Sequence, residues 1–233
     1  MVEDPLMNER ENILGRIREA LRFPAPSPGT HHGEPPCAAS PPASDSRRLL
    51  PASGDSFEDN LALFQKNSIE LRADFFLLKD AAELGLRLNQ LRDAEGWKKV
   101  GTHSGALTDI ATRELGLPLC LTDQAYESRE LASCDAGISE CDALVAHTGS
   151  VLVTSRSAGG RALSVLPPHH VVLARRDQLL GGLPDAFALV RKKYAPNYPS
   201  LISFITGPSR TGDIERILVL GAHGPRKLTI FCV

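Results

Sequence analysis

A polar segment close to the carboxyl end of the chain has the residue types of an anion-binding site. An apolar stretch that ends at Thr206 is followed by Gly207 and then by small and polar residues that include Arg210. Asp213 and Glu215 predict a short helical turn after this loop. Loop amides and a helix N-terminus point hydrogen-bond donors at anions, and an arginine fork pairs with carboxylate or phosphate. The segment therefore predicts an anion site where a strand ends.

Two considerations limit that interpretation. Gly207 and Gly212 have the spacing of a phosphate-binding P-loop, but Asp213 stands where the P-loop requires lysine. This substitution excludes a P-loop nucleotide enzyme. The alternative is a structural loop in which Arg210 pairs internally with Asp213 or Glu215.

Two further turns carry polar side chains that could join the site. His223 to Arg226, spelled HGPR, precedes the last apolar run, and its alternative interpretation is an ordinary turn. His147 to Ser150, spelled HTGS, offers an imidazole and two hydroxyls for proton transfer, and the alternative is a tight turn with satisfied polar groups. The candidate ligand-binding residues are Gly207, Ser209, Arg210, Thr211, Asp213, His147, Thr148, His223 and Arg226. The sequence assigns no catalytic residue among them.

The other histidines and the cysteines show no metal-binding spacing. His169 and His170 are neighbours on a predicted strand, so they point to opposite faces and at most one serves a site. The five cysteines contain no C-x-x-C pair, which excludes the usual zinc and ferredoxin spacings. The loop from Gly101 to Gly105 misses the dinucleotide-binding spacing and is weak evidence for a ligand-facing loop. We expect no metal and no cofactor to be bound by this chain.

Composition and charge exclude several classes of protein. The 233 residues carry a formal charge of -2, which argues against a general nucleic-acid binder. No apolar run approaches the roughly 18 residues that span a bilayer. The acidic start MVEDPLMNERE lacks the basic and apolar regions of a signal peptide. We therefore expect a cytoplasmic protein without nucleic-acid or membrane partners.

The chain divides by composition into three segments. Residues 1–23 contain an amphipathic helix, predicted from Asn8 to Phe23, which must pack on the domain or on another chain. Its apolar stripe comprises Ile13, Leu14, Ile17, Ala20 and Leu21. Residues 24–56 hold 8 of the 17 prolines and predict a flexible linker. Residues 57–233 form the predicted single domain.

Helical and extended segments alternate within that domain. Capping boxes at Ser56 and Asp80 predict the starts of two helices. Continuous apolar runs predict strands buried on both faces, namely ADFFLLK, KKVGT, LPLCL, HHVVLA, LISFIT and KLTIFCV. The alternation predicts an α/β fold with a layered, mostly parallel sheet and helices on both faces. A β-hairpin insertion of residues 143–146 and 151–154, turning at Thr148 and Gly149, makes the predicted sheet mixed.

Three stretches resemble the lactate utilization protein C family, also described as the LUD domain. They are GISECDALVAHTGSVLV, GRALSVLPPHHVVLARRDQL and SLISFITGPSRTGDIERILVLGAHGPRKLTIFCV. The resemblance is dense over residues 137–233, and ENILGRIREAL near the start is also similar. Its most specific part is GPSRT-x-DIE followed by LVLG-x-HGP. The resemblance implies the layered α/β fold shared by glucosamine-phosphate deaminase, ribose-phosphate isomerase and CoA transferases, whose ligands are small anions or acyl carriers.

The resemblance also implies a function. Members of the family act with iron–sulfur partner proteins in oxidising L-lactate to pyruvate, so the clusters are expected on the partners. The expected role is a cytoplasmic subunit in which Arg210 and loop amides hold the lactate carboxylate while His147 or His223 approaches the hydroxyl. His147 departs from the family pattern, in which this turn usually reads Glu-Thr-Gly-Thr. Two alternatives stay open: a stand-alone enzyme acting on a CoA ester, phosphosugar or folate-type substrate, and a non-catalytic assembly protein.

Overall fold

The computed structural model describes residues 5–20, 22, 54, 56–214, 217–221 and 223–233, with the backbone alone for residues 5–10, 12, 20, 211–214 and 217–220. It forms two compact units, Met1–Leu50 and Pro51–Val233. The first contains helix α1 (Pro5–Ala20), which starts three residues before the predicted helix. The predicted linker lies outside the described residues except at Gly54 and Ser56. None of the described helices has the length and apolar character needed to cross a membrane.

Side-chain caps begin the first two helices of the second unit, as predicted. Helix α2 (Phe57–Glu70) follows Ser56, whose hydroxyl accepts a hydrogen bond from the amide of Asp59. Helix α3 (Ala81–Glu95) follows Asp80, whose carboxylate accepts a hydrogen bond from the amide of Glu83. These contacts satisfy backbone donors that have no partner inside the helix.

A parallel sheet of six strands forms the centre of the second unit. The strands are β1 (Asp74–Leu77), β2 (Val100–Thr102), β3 (Leu119–Leu121), β4 (Ala136–Glu140), β7 (His169–Ala174) and β12 (Lys227–Cys232). Their order is β1-β12-β7-β4-β2-β3, and every neighbouring pair is parallel. Helices α3 and α4 (Thr108–Leu115) cover one face, and α2 and α5 (Ser128–Ala132) pack on the other. The predicted α/β class is confirmed.

Burial along these strands depends on their position in the sheet. Strands β4, β7 and β12 lie in the interior and are almost completely buried. Strands β1 and β3 are the two edges, and their residues range from buried to exposed. The prediction that ADFFLLK and LPLCL are buried on both faces was therefore wrong. An edge strand has a neighbour on one side only, so the covering helices leave part of it open to solvent.

The predicted hairpin forms, but it belongs to a second sheet. Strands β5 (Ala143–Val145) and β6 (Ser150–Thr154) pair antiparallel. Strand β9 (Ile202–Ile205) pairs antiparallel with β6, and the short β8 (Leu179–Leu180) pairs parallel with β5. This corrects the expectation of one mixed sheet and of LISFIT as a parallel strand, because β9 takes the free edge of the hairpin.

The second sheet lies between the parallel sheet and helix α6 (Leu183–Tyr194). Leu144 and Val151 pack toward the parallel sheet, whereas Val145 and Leu152 pack against α6. The layers are thus α3 with α4, the parallel sheet, the second sheet flanked by α2 and α5, and α6. Because both faces of β5 and β6 are covered, all of their residues are buried. This double cover explains the near-continuous apolar run of the hairpin.

A separate antiparallel ribbon follows β9. It pairs β10 (Arg210–Ile214) with β11 (Ile217–Leu220). The predicted helical turn at Asp213 was therefore wrong, since Asp213 lies in β10, and Glu215 lies outside the described residues. The aliphatic and β-branched residues of β10 and β11 favour strand pairing over a helix start. No helix N-terminus follows Gly207 in the described part of this segment.

A buried carboxylate joins α6 to the second sheet. Asp142 Oδ1 accepts hydrogen bonds from Lys193 Nζ and from the Tyr194 hydroxyl, both at 2.6 Å. Burial raises the pKa of the Asp142 carboxyl, but the hydrogen bonds from Lys193 and Tyr194 outweigh burial and hold that pKa below its ordinary value. Asp142 is therefore an ionised, partnered group inside the fold at pH 7.

Replacing Asp142 with alanine should lower the free energy of unfolding by about 2–4 kcal/mol. The change leaves the Tyr194 hydroxyl without this acceptor, while half-exposed Lys193 recovers part of its hydration. Urea denaturation at pH 7 measures the effect. Glu130→Ala, which removes the exposed partner of Lys99, is the matched control and should cost about 1 kcal/mol or less. An Asp142→Ala protein as stable as the control would contradict this role.

Candidate anion-binding site

The turn of residues 207–210 and the turn of residues 223–226 lie side by side. The Ser209 amide donates a hydrogen bond to the Pro225 carbonyl at 2.8 Å. The Gly221 amide donates in turn to the Ser209 carbonyl at 2.9 Å. Two segments that are separate in sequence therefore form one hydrogen-bonded unit.

This unit lies at the amino edge of the parallel sheet. The Arg226 amide donates a hydrogen bond to the Pro168 carbonyl at 2.7 Å, directly before β12 and β7 begin. Ligands of open α/β sheets usually bind at the carboxyl ends of the strands. The sequence predicts the anion site after the end of a strand. That strand is β9, which belongs to the second sheet and not to the parallel sheet.

A groove of about 460 Å³ opens beside this unit. Val165 and Leu166 form an apolar wall and are 44% and 39% exposed. His223 and Arg226 supply the polar side chains. The other lining residues are Ala132, Pro168, Gly221 and Gly224. Apolar walls with a few polar groups are typical of small-molecule sites.

Arg226 is the strongest anion-binding group of the groove. Its side chain passes over Gly221, where a Cβ atom would lie 2.1 Å from Arg226 Cγ. Gly221 also has a φ of +74°, which L side chains rarely adopt. Among the residues whose side chains the structure describes, which do not include Asp213 and Glu215, no carboxylate forms an ion pair with the Arg226 guanidinium. The guanidinium therefore offers two parallel N–H donors to a carboxylate or phosphate.

The side chain of Arg210 forms a hydrogen bond with the end of helix α2. Its Nη2 donates a hydrogen bond to the Leu71 carbonyl at the C-terminal end of that helix, where a cation also complements the helix dipole. Gly207 packs on the same carbonyl, and a Cβ on Gly207 would lie 2.9 Å from the Leu71 oxygen. Thr211 and Asp213 belong to β10, and their side chains lie outside the description.

The tip of the β5–β6 hairpin also packs on α2 instead of the groove. Asn67 Nδ2 donates hydrogen bonds to the carbonyls of Ala146 and His147, at 2.8 and 3.0 Å. The Thr148 hydroxyl is buried and has no hydrogen-bond partner among the described residues. None of these side chains lines the groove. The structure thus groups His223 with Arg226 and leaves His147 and Thr148 apart from them.

His169 and His170 point to opposite faces of the sheet, as predicted, and both are buried. His169 Nε2 lies 2.9 Å from Thr229 Oγ1, and His170 Nε2 lies 2.9 Å from Ser139 Oγ. Burial lowers the pKa of His169 to about 4 and that of His170 to about 3, so both rings are neutral at pH 7. They are structural histidines of the strand core.

A polar cluster lies at the opposite, carboxyl edge of the parallel sheet, where the sequence marks the loop from Gly101 to Gly105 only as weak evidence and does not identify Glu140. His103 Nε2 accepts a hydrogen bond from the Glu140 amide at 3.2 Å, and Nδ1 lies 3.0 Å from the Ser104 carbonyl. The Glu140 carboxylate accepts hydrogen bonds from the Leu107 and Thr108 amides, at 2.7 and 3.3 Å. An internal carboxylate therefore occupies the N-terminus of α4, where an anion would otherwise bind.

The order of the strands is the signal that would have located this cluster. Strand β2 has β3 on one side and β4 on the other, so the chain reverses direction across the sheet at this point. Loops at such a switch point meet in a crevice. Both His103 and Glu140 stand at strand ends in the sequence, but the pairing of β2 with β4 is needed to bring them together.

Comparisons with known proteins agree with this architecture. A crystal structure of a DUF162 family protein from Deinococcus radiodurans superimposes with a TM-score of 0.61 and 21% identity, covering 77% of this chain and 99% of that one. Lactate utilization protein C of Shouchella clausii is 29% identical over 187 residues, which is 74% of this chain and 79% of that protein. Lactate utilization protein C of Anoxybacillus flavithermus is 36% identical over 97 residues, 43% of its length.

The model of the LUD domain matches residues 109–233. This range is more than half of the chain. It contains the β5–β6 hairpin, the two buried histidines and every residue that lines the groove. The chain therefore belongs to the LUD domain family.

Proposed function

We propose that this chain acts in lactate utilization, as a cytoplasmic subunit of a system that oxidises L-lactate to pyruvate. The matched relatives support the lactate role, since they carry the name lactate utilization protein C. Iron–sulfur partner proteins accept the electrons in this proposal, and this chain binds the carboxylate. The observation that carries it is the position of Arg226, whose side chain lines the groove beside His223.

The groove offers a group for each part of lactate. The Arg226 fork is suited to the carboxylate, and the His223 imidazole is suited to hydrogen bonding or proton transfer at the hydroxyl. The apolar wall of Val165 and Leu166 is suited to the methyl group. Because the groove holds about 460 Å³, lactate leaves room beside it for a partner side chain or water.

Titration of L-lactate into the purified protein by calorimetry tests this proposal. We expect one binding site for L-lactate and a similar affinity for pyruvate, because both carry the carboxylate. Glycerol, which has hydroxyls and no carboxylate, is the matched control and should not bind. Failure of both carboxylates to bind at millimolar concentration would contradict the site.

A panel of thermal-shift measurements distinguishes a lactate-binding subunit from the alternative of a stand-alone enzyme. A CoA ester, a sugar phosphate and a folate are the probes, and a ligand at 100 times its Kd stabilises a protein by about 2.7 kcal/mol. A shift with one of these and none with lactate would favour that alternative.

Helix α1 favours a second, overlapping role in assembly. Ile13 and Ile17 are one helical turn apart and are 59% and 49% exposed. Such a pair fits a hydrophobic groove on a partner protein. Under this proposal α1 binds the iron–sulfur partner proteins.

Replacing both Ile13 and Ile17 with serine should reduce co-purification of the iron–sulfur partners at least tenfold, because each lost side chain removes buried apolar area. The melting temperature of the second unit should not change. Arg16→Ser, on the same exposed helix, is the matched control. Unchanged co-purification of the double variant would rule out this role for α1.

A further inference from the structure

Two buried cysteines lie in one apolar cluster beside helix α5. Cys120 lies in β3, and Cys134 lies shortly after α5. Both belong to one apolar cluster with Leu131 and Leu163, and each is 2% exposed. The Cys134 thiol donates a hydrogen bond to the Glu130 carbonyl, with sulfur and oxygen 3.6 Å apart.

A glycine allows the two cysteines to approach each other. Gly101 in β2 is the register partner of Cys120, and a Cβ on Gly101 would lie 3.8 Å from Cys134 Sγ. Register partners on neighbouring strands point to the same face of a sheet. The two thiols therefore meet over backbone that carries no side chain. A Cβ on Gly101 would also lie 2.5 Å from Leu131 Cδ1, so a larger residue would push α5 away.

We propose that Cys120 and Cys134 form a reversible disulfide when the protein meets a hydroperoxide. The thiolate of one cysteine attacks the peroxide, which gives a sulfenic acid and one water after protonation. The second thiol then attacks the sulfenic sulfur, which forms the S–S bond and releases the second water. Two electrons pass from two thiols to one hydrogen peroxide. A dithiol reductant reverses the reaction by thiol–disulfide exchange.

The surroundings set the rate of this oxidation. Burial raises the pKa of Cys134 to about 11 and also raises the pKa of Cys120. The Lys99 ammonium opposes burial at both thiols, and it forms an ion pair with Glu130 at 2.8 Å nearer the surface. Since the thiolate is the reactive form, oxidation should be slow at pH 7 and about tenfold faster for each pH unit above it.

The fold can accommodate the bond. Strand β3 is an edge strand of three residues, so Cys120 can move toward Cys134 without breaking a second set of strand pairs. The disulfide would close a loop that contains α5, whose last residue, Ala132, lines the groove. Closing a loop of about 15 residues restricts the unfolded chain, and we expect the melting temperature to rise by about 5–10 °C.

The chain contains a matched pair of cysteines for comparison. Cys141 and Cys232 are also buried in one apolar cluster. The register partners of Cys232 are Leu77 and Ala174, which both carry side chains, whereas the register partner of Cys120 is Gly101. We therefore expect no disulfide between Cys141 and Cys232, because burial in one cluster is not sufficient.

The experiment uses the full chain with Cys37→Ser, which removes the one cysteine outside the described residues. The protein is treated with hydrogen peroxide at pH 8, denatured, alkylated and digested for mass spectrometry. We expect a peptide that joins Cys120 to Cys134, loss of two of the four alkylatable thiols, and recovery of both after a dithiol reductant. Cys141→Ser should leave the linkage intact, and Cys134→Ser should abolish it.

Three results would overturn the proposal. They are four free thiols after oxidation, a linkage between other cysteines, and oxidation of Cys120 or Cys134 to sulfinic acid without a linkage. The deciding measurement is peptide mapping of the protein that keeps all four buried cysteines. A cysteine variant that fails to fold therefore does not affect the result. The melting temperature of the oxidised and reduced forms is the second measurement, and equal values would contradict the expected stabilisation.

Discussion

Replacing Arg226 with alanine should weaken L-lactate binding about 10- to 100-fold, and cells whose only copy carries this change should not grow on lactate. Hydrogen bonds to a charged group contribute about 1.5–3 kcal/mol, and every 1.4 kcal/mol is a tenfold change in Kd. Calorimetry on the purified variant measures the loss of affinity. Arg226→Lys keeps the charge and loses the paired donors, so its affinity should lie between those of the wild type and Arg226→Ala.

Two other arginines serve as matched controls for this prediction. Arg210→Ala removes the hydrogen bond to the Leu71 carbonyl, so it should cost about 1 kcal/mol of stability and leave the lactate Kd within about twofold. Arg113→Ala changes an exposed side chain on α4 and should alter neither quantity. If Arg210→Ala abolishes binding and Arg226→Ala does not, the carboxylate binds at the first turn and our assignment of the groove is wrong.

The sequence alone could not predict which of these two arginines lines the groove. The sequence predicts both turns and marks Arg210 as the better candidate, because it sits in a glycine-rich loop after a strand. The structure places Arg210 on Leu71, which is 139 residues away in the chain. Local spacing contains no information on such a distant partner. The side chain of Arg226 crosses Gly221, which is only five residues away, but the turn is held at the groove by the hydrogen bond from the Arg226 amide to Pro168, which is 58 residues away.

The features of the fold likewise separate into those set by neighbouring residues and those set by distant contacts. The caps at Ser56 and Asp80 and the β5–β6 hairpin depend on neighbouring residues, and the sequence predicts each of them correctly. The assignment of β9 to the second sheet depends on which edge it pairs with, and the strand formed by Arg210–Ile214 depends on pairing with β11. Both pairings are set by tertiary contacts that outweigh the local preference.

Lowering the pH from 6.5 to 4.5 should reduce the free energy of unfolding by about 5 kcal/mol, through His169 and His170. Burial lowers the pKa of these rings to about 4 and about 3 in the folded protein, whereas a histidine in an unfolded chain has a pKa of about 6.5. Below pH 6.5 the unfolded state therefore binds more protons than the folded state. Stability falls by about 1.4 kcal/mol per pH unit for each histidine until the folded pKa is reached.

Urea denaturation at half-unit steps between pH 7.5 and 4.5 measures this dependence. His170→Gln keeps a polar atom near Ser139 and removes one titrating ring, so it should remove about half of the slope. His169→Gln should do the same beside Thr229, and the double variant should lose most of the dependence. A double variant with the slope of the wild type would show that other groups cause the acid sensitivity. Because domains are stable by only about 5–15 kcal/mol, these two rings are sufficient to bring the protein close to unfolding at pH 4.5.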